Sequence, residues 1–483
     1  DPNSGAGGGK SNSIFTVDGP ITVKDVYFYG EAKWKTVLMG GLGWGGNSYY
    51  ALDVTDPDAP KHLFTFNNDV SNKAINYWDA SGKKSTFAYS AACTAFDYSK
   101  LGGAWSRPVI MLLPYNKGVY KQRWVAAFGG GYAGGASVTG TGSTSSFGAY
   151  AYVIELEPDG GLSTESCGAL SAEAVTSTGG HVLIATPLTS DSASTIPNGV
   201  TAHLSVVTGD GTSMATYYGG IAYFTDLQGK LWKWNLSKNS LSDDNSTLFS
   251  LYQSFNAQAT LANDRMGMNQ LGTTIVTGQD ANGNNVSRLF NYYGTGDLTR
   301  IQRRIPKNNT INNRIYGVSD ANFPSPLLST TNQTVATFTN VDSAKCSVNN
   351  SWYANVSAKT NIDPLVDFQK IVGRASVYNK YVYFTAYQPD SLSADGKCPK
   401  YGTSRIIEMS DVCQTGGAGA VIPDGLATQP VIDGKGNIYI GVGNLKSVDS
   451  LTNGVGNIVK LKATPSSNSS RIQYKSWREK RAY

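Results

Sequence analysis

Hydrophobic and polar residues alternate with a period of two along the stretch from residue 203 to residue 236. Residues 204–207 are apolar and mostly β-branched, and residues 217–225 mix aromatic and small side chains. A turn that ends at Gly229 separates them from residues 231–236, where apolar and polar side chains alternate. Such alternation, bounded by Gly and Asp, is typical of antiparallel strands that bury one face. The stretch predicts three half-buried strands joined by tight turns.

The same strand–strand–turn–strand unit recurs along the chain at intervals of roughly 60–90 residues, which indicates a repeat architecture. Six copies are recognisable, and they begin near residues 34, 108, 204, 273, 372 and 429. A small antiparallel sheet cannot bury both faces alone, but sheets packed radially can. The pattern predicts an all-β fold, a modified β-propeller, with long rim loops such as 136–148 and 388–403. A seventh blade is expected to close the ring through residues 473–477.

The repeat pattern also predicts the domain organisation. Residues 1–14 are rich in Gly and Ser, and we expect a flexible segment there that leads into the first blade. Residues 15–483 are expected to form a single propeller domain. Since the chain starts at Asp1 without a Met, we expect it to be a fragment or the mature piece of a longer chain.

Composition and charge exclude several classes of function. Gly and Tyr are abundant (54 and 28 residues) and only 16% of residues are charged, which favours strands and turns over helices. The net charge of +5 is small for 483 residues, and no Lys/Arg cluster is interleaved with aromatics. A nucleic-acid partner is therefore not expected. No stretch reaches the roughly 18 apolar residues of a transmembrane helix.

Five cysteines make up an odd number, so at least one is free or pairs outside this chain. The absence of a CxxC pair argues against a zinc site. Cys346, Cys398 and Cys413 lie closest together, and we expect a disulfide among these three before one that involves Cys93 or Cys167.

Candidate catalytic motifs are weak. Residues 41–46 and 129–134 match GxGxxG, but the first is followed by a strand and the second by a loop, whereas a dinucleotide site requires a helix. We interpret both as turns. The three histidines, His62, His181 and His203, are too far apart in sequence to form a metal-ligand motif with one another. We interpret His203 as a structural residue. No GxSxG nucleophile motif occurs. The sequence predicts a protein that is not an enzyme.

Calcium is the cofactor that the sequence leaves open. Asp280, Asn282 and Asn284 place oxygen-bearing side chains at alternating positions of one loop, as calcium loops do. The loop lacks a Gly at its sixth position and a Glu at its twelfth. A polar hairpin turn is the alternative interpretation of this segment.

Several sequence blocks together resemble the C-terminal domain of the type IV pilus proteins of the PilC/PilY family. They follow the family's order and cover almost the whole chain, and the first two are the most distinctive. The blocks are WKTVL at 34–38, YYALDVTDP at 49–57, SRPV at 106–109, WVAAFG at 124–129, DLQGKLW at 226–232, YGTG at 293–296, YGV at 316–318 and SWRE at 476–479.

This resemblance implies a propeller at the C-terminal end of an exported surface protein, at the outer membrane or the pilus tip. It implies a role in pilus assembly by opposing retraction, and in adhesion and twitching motility. Pilin-type subunits and a host cell-surface receptor would be its partners. Some members carry a calcium loop before the DLQGKLW block; here only Asp210 keeps a carboxylate, with Val206, Thr208 and Met214 at other ligand positions. The resemblance therefore implies a degenerate calcium loop at Asp210.

Two alternatives remain open from the sequence. One is a propeller enzyme, either of the quinoprotein type, whose repeats resemble residues 50–54, or a glycan hydrolase with paired carboxylates. The quinoprotein repeat would need a Trp downstream, and none follows residues 50–54 at that spacing. The other alternative is a purely structural module that positions an upstream adhesive domain.

Overall fold

The structure is a computed structural model. It describes residues 16–89, 93–132, 147–158, 177–194, 196–208, 217–280, 282–301, 311–327, 333–341, 348–356, 369–389, 402–412, 421–422, 425–443 and 458–463.

The described residues form an all-β propeller fold whose strands group into separate sheets. The first sheet contains β1 (Ile21–Phe28), β2 (Lys33–Gly41), β3 (Ser48–Asp53), β4 (Lys61–Asp69), β5 (Ala74–Trp78) and β6 (Lys84–Ala88). The second contains β7 (Val109–Leu113), β8 (Arg123–Gly129), β9 (Tyr150–Glu155) and β10 (Val182–Pro187). The third contains β11 (Ser205–Thr208), β12 (Tyr218–Thr225), β13 (Lys230–Lys238) and β14 (Leu251–Asn256).

Three further sheets follow in chain order. The fourth contains β15 (Gly272–Gln279), β16 (Asn285–Gly294), β17 (Arg314–Asp320), β18 (Thr339–Asn340) and β19 (Trp352–Asn355). The fifth contains β20 (Lys370–Tyr378), β21 (Tyr381–Gln388), β22 (Thr403–Ser410) and β23 (Val421–Ile422). The sixth contains β24 (Val431–Ile432), β25 (Asn437–Gly441) and β26 (Ile458–Lys462). Short 3-10 turns lie at Gly43–Gly45, Thr94–Phe96, Leu298–Arg300 and Val335–Thr337.

The predicted repeats and the observed sheets agree. Each of the six recognised units falls on one sheet, and the three strands predicted around the 226–229 turn are β11, β12 and β13. The β12–β13 hairpin is antiparallel, with Phe224 opposite Trp232 and Ala222 opposite Trp234. The all-β propeller prediction is confirmed. The seventh blade at 473–477 and most of the two predicted rim loops lie outside the described residues, so the blade number stays a prediction.

The half-buried character predicted for the central strands is wrong for β13. Every residue of this strand is buried, including Lys233 and Asn235 on its polar face. The reason is that sheets pack on both sides. The Lys233 ammonium lies 2.7 Å from an Asp320 carboxylate oxygen of the fourth sheet, and Tyr223 donates a hydrogen bond to the same oxygen. In β13 the alternation of apolar and polar side chains separates a face in an apolar interface from a face in a more polar interface. Neither face of the strand is solvent-exposed.

The first sheet is larger than the sequence indicated. Only β2 and β3 were recognised, and β1 and β4–β6 extend the sheet to six strands. Aromatic side chains hold β4 against the second sheet: the Phe66 and Tyr98 rings stack with centroids 3.7 Å apart, and Phe128 of β8 lies 6.3 Å from Phe66.

Cys93 forms a disulfide bond. The expected bridge among Cys346, Cys398 and Cys413 lies outside the described residues. Within the part of the chain that the structure describes, no helix has the length and apolar character needed to cross a membrane.

Candidate functional site

One hairpin turn recurs in four sheets, and the predicted calcium loop is a member of this set. In each turn, an Asp accepts backbone hydrogen bonds and a Gly three positions later has a positive φ, between +73° and +81°. The first-position Asp donates its own backbone N–H to the carbonyl four residues on, and its carbonyl accepts from the Gly. These are three-residue hairpin loops of the kind that ends in a glycine bulge. The turns begin at Asp79, Asp226, Asp280 and Asp433.

The structure brings Asp280, Asn282 and Asn284 together at the solvent-accessible end of the β15–β16 hairpin. One carboxylate oxygen of Asp280 accepts from the backbone N–H groups of Asn282 and Asn284, each at 2.9 Å. The other oxygen accepts from the Asn284 side-chain amide at 3.2 Å. Together these bonds hold the pKa of Asp280 below its usual value, and the bond from the Asn284 backbone N–H contributes most.

The hairpin interpretation of this segment accounts for its geometry, and calcium binding there stays a prediction. Among the described residues there is no group of three or more His, Cys, Asp or Glu side chains placed to hold a metal ion. Asp210, the other predicted ligand, lies outside the described residues.

The Asp226 turn has the same backbone as the Asp280 turn but is buried in the core. One Asp226 oxygen accepts from the Lys230 N–H at 2.9 Å. The other accepts from the Trp232 indole N–H at 2.8 Å and from the Asn198 amide at 3.1 Å. Burial raises the pKa of Asp226, and the nearby Lys230 ammonium opposes that rise. This carboxylate therefore ties the turn to β13 and to the segment before β11.

An aromatic surface lies close to the buried turn. It consists of Trp44, Trp105 and Tyr132, whose ring centroids are 4.7 Å (Trp44–Trp105), 5.6 Å (Trp105–Tyr132) and 6.1 Å (Trp44–Tyr132) apart. Trp105 and Tyr132 pack against a buried apolar cluster that includes Leu227 of the Asp226 turn. Trp44 is 46% exposed. Rigid aromatic side chains that are partly exposed provide contact area for recognition at a low entropic cost.

Glycine backbones beneath the aromatic surface hold its three rings together. Gly103 and Tyr132 exchange backbone hydrogen bonds of 2.7 and 3.0 Å, and the Gly43 N–H donates to the Ala104 carbonyl at 3.1 Å. At Gly131 a Cβ atom would lie 1.9 Å from the Gly103 carbonyl oxygen, so only glycine permits this approach. Both GxGxxG matches begin in these crossing segments. Their interpretation as turns is confirmed where the structure describes them, since β3 and no helix follows the first.

Sequence reasoning missed this aromatic surface. The signal was present in the glycines next to Trp44 and Tyr132 and two residues before Trp105, but only the crossing of three separate segments brings these rings together. The histidines, in contrast, lie in three different surroundings. His62 contacts the Asp79 carbonyl at 2.9 Å, and His181 lies 3.9 Å from Glu155. His203 accepts a hydrogen bond from the Arg107 N–H, and burial lowers its pKa to about 4, which fits the structural role predicted for it.

Comparison with known proteins shows which proteins this chain is similar to in sequence and in fold. The chain is 29% identical over 223 residues to a type IV pilus biogenesis factor PilY1 homolog of Xylella fastidiosa, a match that covers 46% of this chain and 11% of the relative. It is 47% identical over 55 residues to PilY1 of Pseudomonas aeruginosa, across 11% of this chain and 5% of that protein. In fold it matches the crystal structure of the Pseudomonas aeruginosa PilY1 C-terminal domain, with a TM-score of 0.53, 15% identity, and coverage of 89% of this chain and 82% of that one.

The chain resembles PilY1 in sequence and the PilY1 C-terminal domain in fold. The family resemblance inferred from the sequence blocks is confirmed. No protein-family model matches the chain. The matched segment spans only about a tenth of the Xylella relative. The PilY1-like fold of this chain therefore does not by itself assign it the activity of full-length PilY1 proteins.

Proposed function

We propose that this chain is a domain of a type IV pilus biogenesis factor. The observation that supports it is the combination of sequence similarity to PilY1 proteins and a fold like the PilY1 C-terminal domain. We propose further that it acts without catalysis, promotes pilus assembly by opposing retraction, and contributes to adhesion and twitching motility. Its partners would be pilin-type subunits and a host cell-surface receptor, and its place the outer membrane or the pilus tip.

The aromatic surface is our candidate for the recognition part of this function. Trp44 is nearly half exposed, while Trp105 and Tyr132 are fixed beneath it by backbone crossings. A rigid support with one accessible ring suits contact with another macromolecule, because little side-chain freedom is lost on binding. A purely structural module, the remaining alternative, would need no such accessible ring.

A genetic experiment tests the pilus role. The region encoding this chain is deleted from the full-length gene in the native bacterium, and sheared surface pili and twitching zones are measured. We expect both to fall, and pili, but not twitching, to return when the retraction motor is also removed. Unchanged surface pili after deletion would contradict the biogenesis role. Pili that stay absent without retraction would contradict the opposition to retraction.

A matched pair of variants tests the aromatic surface. Trp44→Ala is expected to reduce host-cell adhesion while it leaves thermal stability and surface pili close to wild type. Trp34→Ala is the control, because Trp34 is 45% exposed and lies at the other end of β2, against Tyr27 and Trp124. Equal adhesion by the two variants would show that the aromatic surface is not the recognition site.

A further inference from the structure

The first strands of the sheets are linked in series by hydrogen bonds from each sheet to the next. Thr22 of β1 donates to the Pro108 carbonyl, and Ser106, just before β7, donates to the Ala202 carbonyl. Ser205 of β11 donates to the Leu271 carbonyl. The series continues from Asn269 to the Ile371 carbonyl and from Ser376 to the Pro430 carbonyl. Each first strand is also an edge strand of its sheet. These strands therefore surround the axis of the propeller.

Arg107 reaches from the second sheet to the two sheets that follow it. It precedes β7 of the second sheet, and its backbone N–H donates to His203, which precedes β11 of the third. Its guanidinium donates to the Gln270 side-chain oxygen of the fourth sheet at 3.1 Å. One residue thus contacts the two following sheets, which is possible only where their first strands converge.

Arg374 lies on β20 of the fifth sheet, facing the same region. Asn269 is the neighbour of Gln270 and accepts a hydrogen bond from the Gly373 N–H at 2.9 Å. Arg374 directly follows Gly373, and Gln270 is the residue that Arg107 contacts, so the two arginines meet neighbouring residues of the fourth sheet's first segment. The Arg374 side chain is solvent-exposed. Burial by the surrounding protein nevertheless lowers its pKa, and the positive charge of Arg107 lowers it further. Solvent access combined with partial loss of hydration is the situation of a side chain on a channel wall.

The two guanidinium groups have no negative partner within the part of the chain that the structure describes. Among the described residues, no carboxylate forms an ion pair with either Arg107 or Arg374, and Gln270 occupies one of the donors of Arg107. His203, with its pKa lowered to about 4, is neutral near pH 7 and adds no charge. The positive charge of Arg107 acts on Arg374, and an anion bound by both groups would offset this repulsion.

We propose that Arg107 and Arg374 form an oxyanion-binding site on the axis of the propeller. The planar guanidinium presents paired N–H donors that match the two oxygens of a carboxylate or phosphate group. Gln270 orients Arg107 from one side, and Gln429 fixes the backbone of Arg374 by accepting its N–H at 3.1 Å. The ligand is the oxyanion group itself, as a free phosphate or a small carboxylate.

Thermal unfolding and calorimetry with the whole chain test this site. Inorganic phosphate and succinate are titrated separately, with sodium chloride at matched ionic strength as reference. We expect one or both oxyanions to raise Tm saturably beyond the chloride effect, and the one that does so identifies the ligand group. Arg107→Gln and Arg374→Gln are each expected to weaken binding at least tenfold, while Arg288→Gln, on β16, keeps wild-type affinity.

The wild-type titration alone can overturn the proposal. If neither phosphate nor succinate raises Tm above chloride at about 20 mM, which is about 100 times a Kd of about 0.2 mM, there is no such site. Binding that persists unchanged in the Arg107→Gln/Arg374→Gln double variant would place it elsewhere. If the Gln variants do not fold, Arg107→Lys and Arg374→Lys keep the charge but lose the paired donors, and unchanged affinity in both would contradict guanidinium recognition.

Discussion

The Asp226 and Asp280 turns have the same local structure in opposite surroundings. Both place Asp and Gly three positions apart, with a Gly φ of +73° at 229 and +81° at 283. Asp226 is fully buried and its second oxygen bonds Trp232 and Asn198. Among the described residues, the corresponding oxygen of Asp280 bonds only Asn284 of its own turn.

Local sequence therefore determines the turn, and packing determines what its carboxylate does. Burial raises the pKa of Asp226, whereas hydrogen bonds within the turn lower the pKa of Asp280. The carboxylate of the buried copy ties its turn to β13 and to the segment before β11. The accessible copy is the one that a metal ion could reach, and its carboxylate is already used by the turn.

The largest difference between the two copies should appear when the carboxylate is removed. Asp226→Ala leaves the Trp232 indole N–H, the Lys230 backbone N–H and the Asn198 side-chain amide without their acceptor. We expect a loss of about 3–5 kcal/mol in the free energy of unfolding, because each buried donor that is left unsatisfied costs about 1–3 kcal/mol. Asp280→Ala, the matched control, should have a much smaller effect. Urea denaturation measures both, and similar losses would show that burial does not distinguish the turns.

Substitution of Gly229 and Gly283 should give a smaller difference between the two turns in the free energy of unfolding. Ala at either position adopts a left-handed backbone, at a cost of about 1–2 kcal/mol. A Cβ at Gly229 would lie 2.6 Å from the Arg265 carbonyl oxygen, whereas a Cβ at Gly283 meets nothing within 4 Å. We expect Gly229→Ala to cost about 2–5 kcal/mol in total because overpacking adds to the strain. A cost for Gly283→Ala as large as that for Gly229→Ala would contradict this packing difference.

Acid should weaken the accessible turn at Asp433 but not the buried turn at Asp226. Hydrogen bonds led by the Asn437 side chain lower the pKa of Asp433 to about 2. A carboxyl whose folded pKa lies below its unfolded value of about 4 stabilises the protein above that pH and loses its contribution as the pH falls toward 2. Asp226, with its raised pKa, has the opposite sign.

The measurement is Tm for wild type and Asp433→Asn between pH 6 and pH 2. The difference between the two should be greatest above pH 4 and shrink as the pH falls. A difference that stays constant across this range would show that Asp433 does not contribute through its charge.

Calcium should produce the smallest effect. If the predicted site at Asp280, Asn282 and Asn284 binds calcium, calorimetry on the wild type gives a heat that Asp280→Ala abolishes. Asp433→Ala removes the same carboxylate from an equivalent turn and should leave that heat unchanged. Equal heats from wild type and both variants would eliminate Asp280 as a ligand.

Sequence periodicity was sufficient to predict the repeat architecture, because each blade carries its own local pattern of alternating side chains and turn residues. The β12–β13 hairpin, for example, has alternation, an Asp and a Gly within one short stretch. Burial of the polar face of β13 could not be predicted, since the partner of Lys233 is Asp320 on another sheet. Strands β4–β6 carry their hydrophobic signal in Phe64, Phe66 and Tyr77, but they follow no repeat.

The candidate sites divide in the same way. Asp280 was recognisable because its spacing is local, yet that spacing also defines a turn. The aromatic surface and the pairing of Arg107 with Arg374 depend on segments far apart in the chain. Neither Trp44 nor Arg107 has a neighbouring sequence motif that points to its partner, so only the assembled propeller reveals them.

The glycine crossing beneath the aromatic surface has a consequence for how this protein can evolve. Gly131 and Gly103 touch backbone to backbone, so the support has no room for variation. Trp44 stands above that support with nearly half its surface in solvent, where exchange for another side chain disturbs little. Related chains could thus acquire new binding preferences by changing the accessible ring alone, while the same invariant frame presents each new surface to its target.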